Sequence, residues 1–290
     1  MLLQRVEKIL EKGGFDYCEY NGCFDIAATK RFTFFLKVLD NVDSFQESQA
    51  NNLKIISKDL DVTISLIGTH TRREFLQDNI IYDRFSVPTL TPNTLEKIIV
   101  NGAMPTIYRF RGGLFTEVDA AKLRKNREAS GLSQSQLAEK VGVTKKNIYE
   151  HERENKNASL NMVKKIEEAI GEVTNPVPLQ KKYPFEKNKP HDRFEFVVSK
   201  DLEKIGFDTD LIYQTPFNIV AHEKKMLIMS KADDNKRKVE KMAPFMSQLS
   251  HVTKIPAVAI TKEELDIDIP SISEKELKDM KIKDLKKFIK

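Results

Sequence analysis

The chain repeats itself. Gly14-Phe15-Asp16 is echoed by Gly206-Phe207-Asp208, Phe24-Asp25-Ile26 by Phe217-Asn218-Ile219, Asp40-Asn41 by Asp234-Asn235, and Val87-Pro88-Thr89-Leu90 by Ile269-Pro270-Ser271-Ile272, always in the same order. Two stretches with matching landmarks are expected to adopt one fold twice. Each copy opens on an amphipathic helix, with Leu2, Leu3, Val6, Ile9 and Leu10 or with Phe196, Val197, Leu202 and Ile205, running into a glycine. Three strands rich in aromatic and branched residues follow, at 15–20, 23–28 and 32–39 or at 207–213, 217–221 and 226–231. Next come a helix at 44–60 or 235–249, an apolar strand at 62–67 or 257–261, and a strand with a helix around 88–100 or 270–280. The order is α-β-β-β-α-β with later additions. The first copy carries extra length, placed around Thr69 to Asp83.

Residues 119–171, between the copies, have a different rhythm. Asp119, Ser133, Thr144 and Ser159 are each a side-chain cap ahead of a helical run, and Gly131, Gly142 and Gly171 are stops. Leu137, Ala138 and Val141 share one face of the second run, Ile148 points inward from the third, and Leu160, Val163, Ile166 and Ile170 form a buried stripe in the fourth. With 155–158 as a polar loop, the segment reads as one small all-helical core. Lys145, Lys146, Asn147 and Tyr149 begin the exposed side of the third helix, just after its cap Thr144.

The run Leu132-Ser133-Gln134, Leu137-Ala138, Gly142-Val143-Thr144, Ile148 and Glu152 resembles the Cro/CI-type helix-turn-helix of phage repressors and bacterial regulators. That resemblance implies a grip on double-stranded DNA, with helix 144–153 in the major groove. Gln134 would touch a phosphate and brace the recognition helix, and Lys145, Lys146, Asn147 and Tyr149 would face base edges or flanking phosphates. Lys122, Arg124, Lys125, Arg127, Lys145 and Lys146 are expected to form one basic surface along the phosphates. The alternative is a helical module that binds protein instead.

The element order of the repeat resembles restriction-endonuclease-like nucleases, a fold shared with Holliday-junction resolvases. In that family an Asp ends one strand of the hairpin and a Glu-x-Lys or Asp-x-Lys triplet lies on the next, because acids must hold Mg²⁺ while a Lys assists the attacking water. Asp25 and Lys37 fall at the Asp and Lys, but Phe35 stands in place of the second acid. In the other copy Asn218 replaces the Asp, and Met229 stands two residues before Lys231. Two degenerate, non-catalytic domains are therefore expected, with Asp25 and Lys37 as a structural ion pair or an exposed strand pair. The alternative is a structure-selective metal-dependent nuclease or junction-processing protein, drawing a carboxylate from Glu7 or Glu19.

At 290 residues the chain can bury more than one core. No apolar run approaches the ~20 residues that cross a bilayer, and the amino terminus has no apolar signal core, so a cytoplasmic protein without membrane contact is expected. A net charge of +5 is compatible with nucleic acid. Cys18 and Cys23, without a neighbouring His or further Cys, are expected to be small buried or half-buried side chains. No metal, cofactor or catalytic residue is assigned. Arg111-Gly112-Gly113 is expected to turn a hairpin within the β-rich stretch 105–118, and the prolines of 173–190 to make an extended, semi-rigid spacer. The basic amphipathic end, KDMKIKDLKKFIK, is expected to be packed or solvated rather than to bind nucleic acid.

The resulting architecture is multidomain α+β: a nuclease-like α/β domain with a C-terminal hairpin at 1–118, an all-α Cro/CI-type domain at 119–171, a Pro-rich linker at 172–190 and a second nuclease-like domain at 191–290. As a whole the chain resembles a family of archaeal helix-turn-helix transcriptional regulators. What the resemblance implies is sequence-specific DNA binding that regulates transcription. A homodimer is expected, since one such module reads only a short half-site, with the transcription machinery as a protein partner.

Overall fold

The computed structural model describes residues 1–110, 112–180, 183–224 and 226–288. Helix α1 (Leu2–Gly13) buries Val6, Ile9 and Leu10 and ends where Gly14 turns left-handed at φ 68°, a conformation that a Cβ opposes. Strands β1 (Asp16–Glu19), β2 (Ile26–Thr29) and β3 (Thr33–Val38) form an antiparallel meander. Helix α2 (Glu47–Leu60) then crosses to β4 (Thr63–Ile67), which is parallel to β3 and buried along its whole length. Beyond β4 lie β5 (Ile80–Arg84), β6 (Val87–Leu90) and helix α3 (Pro92–Asn101), the last capped by Thr91 with Pro92 in its first turn. The hairpin β7 (Ile107–Phe110) and β8 (Gly113–Val118) follows, although Arg111 of its expected turn lies outside the described residues.

Helices α4 (Ala120–Ala129), α5 (Gln134–Val141) and α6 (Lys145–Arg153) come next, then β9 (Lys156–Ser159) and α7 (Leu160–Ile170). The second copy contains α8 (Arg193–Ile205), β10 (Asp208–Leu211), β11 (Ile219–Glu223), β12 (Met226–Ala232), α9 (Lys236–Thr253), β13 (Ala257–Thr261), β14 (Ser271–Ser273), α10 (Glu274–Asp279) and α11 (Ile282–Phe288). Its order β10-β11-β12-β13-β14 matches β1-β2-β3-β4-β6, pairing for pairing. The extra residues of the first copy are accounted for by β5. It pairs antiparallel with β6 and parallel with β7, carrying one sheet on through β8 to β9.

Alternation along the strands shows how the copies meet. Ile26, Ala28, Phe34 and Leu36 face α1 and α3, while Ala27 and Phe35 point the other way. In the second copy Ile219, Ala221, Val258 and Ile260 pack with α8 and α10, while Val220, Ala257 and Ala259 point away. The two inner faces close on one shared core, with Leu53 and Ile56 of α2 and Val239, Met246 and Leu249 of α9 between them. Helix α9 packs on β1 and β2 of the first copy as well as on its own sheet. Tyr20 meets Phe245 edge-on at 5.5 Å, and the buried Asn52 amide oxygen accepts from Tyr213 N at 3.2 Å. The copies are two halves of one layered body, because α2 and α9 are apolar on more than one side.

A charge is enclosed where the halves meet. The Asp59 side chain has no exposed surface, and Lys58 Nζ, 3.0 Å from it, donates instead to Asp210 at 2.6 Å. Burial, and then the negative charge of Asp210, push the Asp59 carboxyl up from 3.8 to about 6. The folded state thus holds this proton more tightly than the unfolded chain does. The stability this proton provides is complete below about pH 4 and lost as pH rises through about 6. Asp59→Asn should raise the unfolding free energy at pH 8 by on the order of 1–3 kcal/mol and leave it unchanged near pH 4. Thermal melts at the two pH values check this, and an equal effect at both would contradict it.

Two expectations change around the helical segment. Residues 156–159, expected within and beside a polar loop, form strand β9 on the edge of β8, with Val118 opposite Lys156 and Thr116 opposite Ala158. The segment is therefore not purely helical. The sequence Lys-Asn-Ala-Ser has no apolar alternation, and its pairing is dictated by a strand some forty residues away. The described residues of the proline-rich stretch, expected to make an extended, semi-rigid spacer, are irregular in backbone and docked as a strap. Val173 and Leu179 are buried, Val177 N donates to Pro105 O, and Asn51 exchanges two hydrogen bonds with the Glu186 backbone. At the far end, α11 buries Leu285 while Lys281 and Lys287 stay exposed. Cys18 is half-buried, Cys23 is buried, and both are free thiols. No helix among the described residues is long and apolar enough to cross a membrane.

Candidate nucleic-acid interface

The helices of 119–171 begin as their residues dictate. Side-chain oxygens of Asp119, Ser133, Thr144 and Ser159 accept from the backbone N–H three residues on, and Gly142 ends α5 at φ 78°. Leu123, Leu137, Ala138, Val141, Ile148, Val163 and Ile166 make the core, joined by Val118 and Ala158 of the sheet edge. Ala138 is 3% exposed, small enough to let the neighbouring helix approach.

The orientation of α6 is set by one carboxylate. Glu152, near its C-terminal end, takes two hydrogen bonds from Arg127 of α4, at 2.5 and 3.1 Å, and one from the Gln134 amide of α5 at 2.8 Å. Arg127 also donates to Leu132 O at 2.8 Å. Hydrogen bonding to Glu152 holds the Arg127 guanidinium above its ordinary pKa despite burial. Bidentate charge-assisted pairing fixes both angle and distance, so three helices are locked by one group. His151 is buried beside it, its pKa lowered by burial and then by Lys156, and its Nδ1 has no hydrogen-bond partner among the described residues.

With its C-terminal end held, α6 presents the other end outward. Thr144, Lys145, Lys146 and Tyr149 are exposed, and Asn147 is half-buried with an amide oxygen that has no partner among the described residues. Arg153 lies over the Tyr149 ring at 5.7 Å. Lys125, on α4, is also exposed. Gln134 donates to Glu152 of α6, the helix it is expected to brace.

The expected basic surface loses a member. Arg127 is 8% exposed and fully committed to Glu152 and Leu132 O, so it cannot reach a phosphate. Arg124 pairs with Glu128, and Lys122 donates to Thr174 O. Sequence reasoning counted Arg127 as surface charge and missed its inward role. The signal was present: Arg127 follows Leu123 by four residues and so shares its buried face.

The nuclease-like sites are occupied by structural bonds. Lys37, 5% exposed, donates to Asp25 and to Gly22 O, each at 2.8 Å, while the second Asp25 oxygen accepts from Val38 N at 2.7 Å. In the other copy the Asn218 oxygen accepts from Ala232 N at 2.8 Å, and its amide donates to the buried Glu195. Both residues tie the entry of one strand to the exit of the next, at corresponding places in the two copies. Phe35 and Met229, at the place of the second acid, are fully buried. Neither Glu7 nor Glu19 reaches Lys37, and no three His, Cys, Asp or Glu side chains among the described residues are placed to hold a metal. The residues present do not fit a Mg²⁺ site.

Residues 1–105 match the family model described as a PD-(D/E)XK superfamily domain, and residues 123–174 match the model described as a helix-turn-helix. Relatives extend over nearly the whole chain. One from Pyrococcus abyssi is 31% identical over 268 residues, covering 89% of this chain and 85% of its own length. Another from Methanocaldococcus jannaschii is 32% identical with the same coverage, and one from Thermococcus gammatolerans is 29% identical over 97% of this chain and 92% of its own. Each carries the name "putative HTH-type transcriptional regulatory protein". No solved structure matches.

Proposed function

We propose that this chain, which belongs to the family of HTH-type transcriptional regulatory proteins named above, regulates transcription by reading duplex DNA with α6 in the major groove. The observation that carries the reading is a helix held at Glu152 while Lys145, Lys146 and Tyr149 are exposed, and Asn147 half-exposed, toward its other end. Exposed donors at the N-terminal end of such a helix reach base edges and phosphates together. Thr144 caps that end, Gln134 contributes a phosphate contact from the start of α5, and Lys125 extends the phosphate track. Each chain carries one module, so a homodimer reading two half-sites is the natural assembly, in the cytoplasm and with the transcription machinery as its protein partner.

The α/β copies act as non-catalytic support. Asp25 and Lys37 neutralise one another inside the fold, and the Phe35 side chain occupies the position an acid would need.

Base-reading and phosphate-binding residues should separate in a gel-shift titration. Lys145→Ala and Asn147→Ala should each relax preference at particular base pairs by roughly 1–3 kcal/mol, whereas Lys125→Ala should weaken every sequence alike and flatten the salt slope by about 1. Equal losses on a selected and a scrambled duplex for both kinds of variant would remove the base-reading role of α6.

A further inference from the structure

We propose that residues 70–75, in the segment that only the first copy carries, are a second DNA contact, reaching flanking duplex with Phe75 and with the guanidiniums of Arg72 and Arg73. This rests on the reading of α6 above and extends the site. Phe75 is 80% exposed, its ring tilted against that of His70 with centroids 5.9 Å apart. An apolar side chain displayed this way forgoes the burial that a core position would provide. The display is not slack in the chain. Thr71 Oγ1 accepts from Arg73 N and Glu74 N, both at 3.1 Å, Arg72 N donates to Asp43 at 2.9 Å, and Leu76 N closes the base of the loop on Thr69 O.

The two guanidiniums are uncommitted. Arg84 pairs with Asp43 and Arg109 with Glu74, but Arg72 and Arg73 are in no ion pair among the described residues. An ordered loop that offers an exposed aromatic ring within three residues of two exposed guanidiniums matches what nucleic acid presents: a base step to wedge or stack against, with phosphates nearby. Its position supports the same occupant. Glu74 is tied at 2.5 Å to Arg109 of β7, and β7 leads by direct pairing through β8 to β9, beside the helical module. Continuous strand pairing therefore connects this loop's anchor to the strand that borders the module carrying α6. The second copy has no counterpart of the segment, in keeping with the single helical module on each chain.

The test uses the full chain and a duplex recovered by in vitro selection against it, once trimmed to the selected core and once extended to about 40 base pairs. Wild-type protein should bind the extended duplex more tightly. Phe75→Ala should lose about 5- to 50-fold on the extended duplex, and Arg72→Ala with Arg73→Ala should flatten its log–log salt slope by about 2, with no change on the trimmed one. Lys145→Ala should lose on both lengths, separating failure of the α6 reading from failure of this one. Equal wild-type affinity for the two lengths overturns the proposal, as do loop variants that match wild type on the extended duplex, an outcome that would assign the loop to a protein partner. Equal losses on both lengths overturn it too, by showing that the loop acts through the fold.

Discussion

Arg127→Ala should melt the helical module. Its guanidinium is buried between α4 and α6, and removal leaves Glu152, whose side chain is 5% exposed, with a full charge and one remaining amide partner, Gln134. Breaking a buried pair by deleting one member costs about 3–5 kcal/mol. That is comparable with the whole stability a unit of this size draws from its own core. Glu152→Ala should behave in the same way for the opposite reason, since Arg127 would keep only Leu132 O and its edge contact with Glu128. Replacing both, as Arg127→Met with Glu152→Leu, should restore most of the loss, because two apolar side chains need no compensating charge. Circular dichroism melts of the full chain measure the sum, and hydrogen exchange on α4 to α6 shows where it falls. A single-variant loss below about 1 kcal/mol would mean that the pair is not what orients α6.

Asp25→Ala should be as damaging in the first α/β copy and should disclose no lost activity. Lys37 would retain only Gly22 O, and Val38 N would lose its acceptor in the interior of the sheet, a loss of about 3–5 kcal/mol. Lys37→Met with Asp25→Asn should be far milder, because Asn218 in the second copy already holds the corresponding strand end with an amide. Incubating wild-type protein with duplex and branched DNA in Mg²⁺ or Mn²⁺ gives the enzymatic reading its chance. Cleavage by the wild type that disappears in a folded Asp25→Asn variant would reverse the assignment of these residues from structure to catalysis.

These two pairs show which parts of the protein were readable in advance. The Asp25–Lys37 pair was legible because its spacing on neighbouring strands brings the residues opposite one another whatever packs outside. Arg127 was counted as surface charge from its residue type, although its place four residues after Leu123 puts it on the buried face of α4. The caps of α4, α5, α6 and α7 were legible because a cap is settled within four residues. Strand β9 was not, since nothing in Lys-Asn-Ala-Ser prefers a strand until β8 offers its edge.

By itself the sequence determined most of the elements, their repetition and the exposed end of α6, all of which follow from residues close together along the chain. Tertiary structure alone decided that the two copies share a core around α2 and α9, that the proline-rich stretch is strapped down, and that Glu152 gathers three helices. Local periodicity marks a face as apolar but carries no record of its partner. That choice is made by shape and charge complementarity between segments far apart, and exists only once the chain has folded.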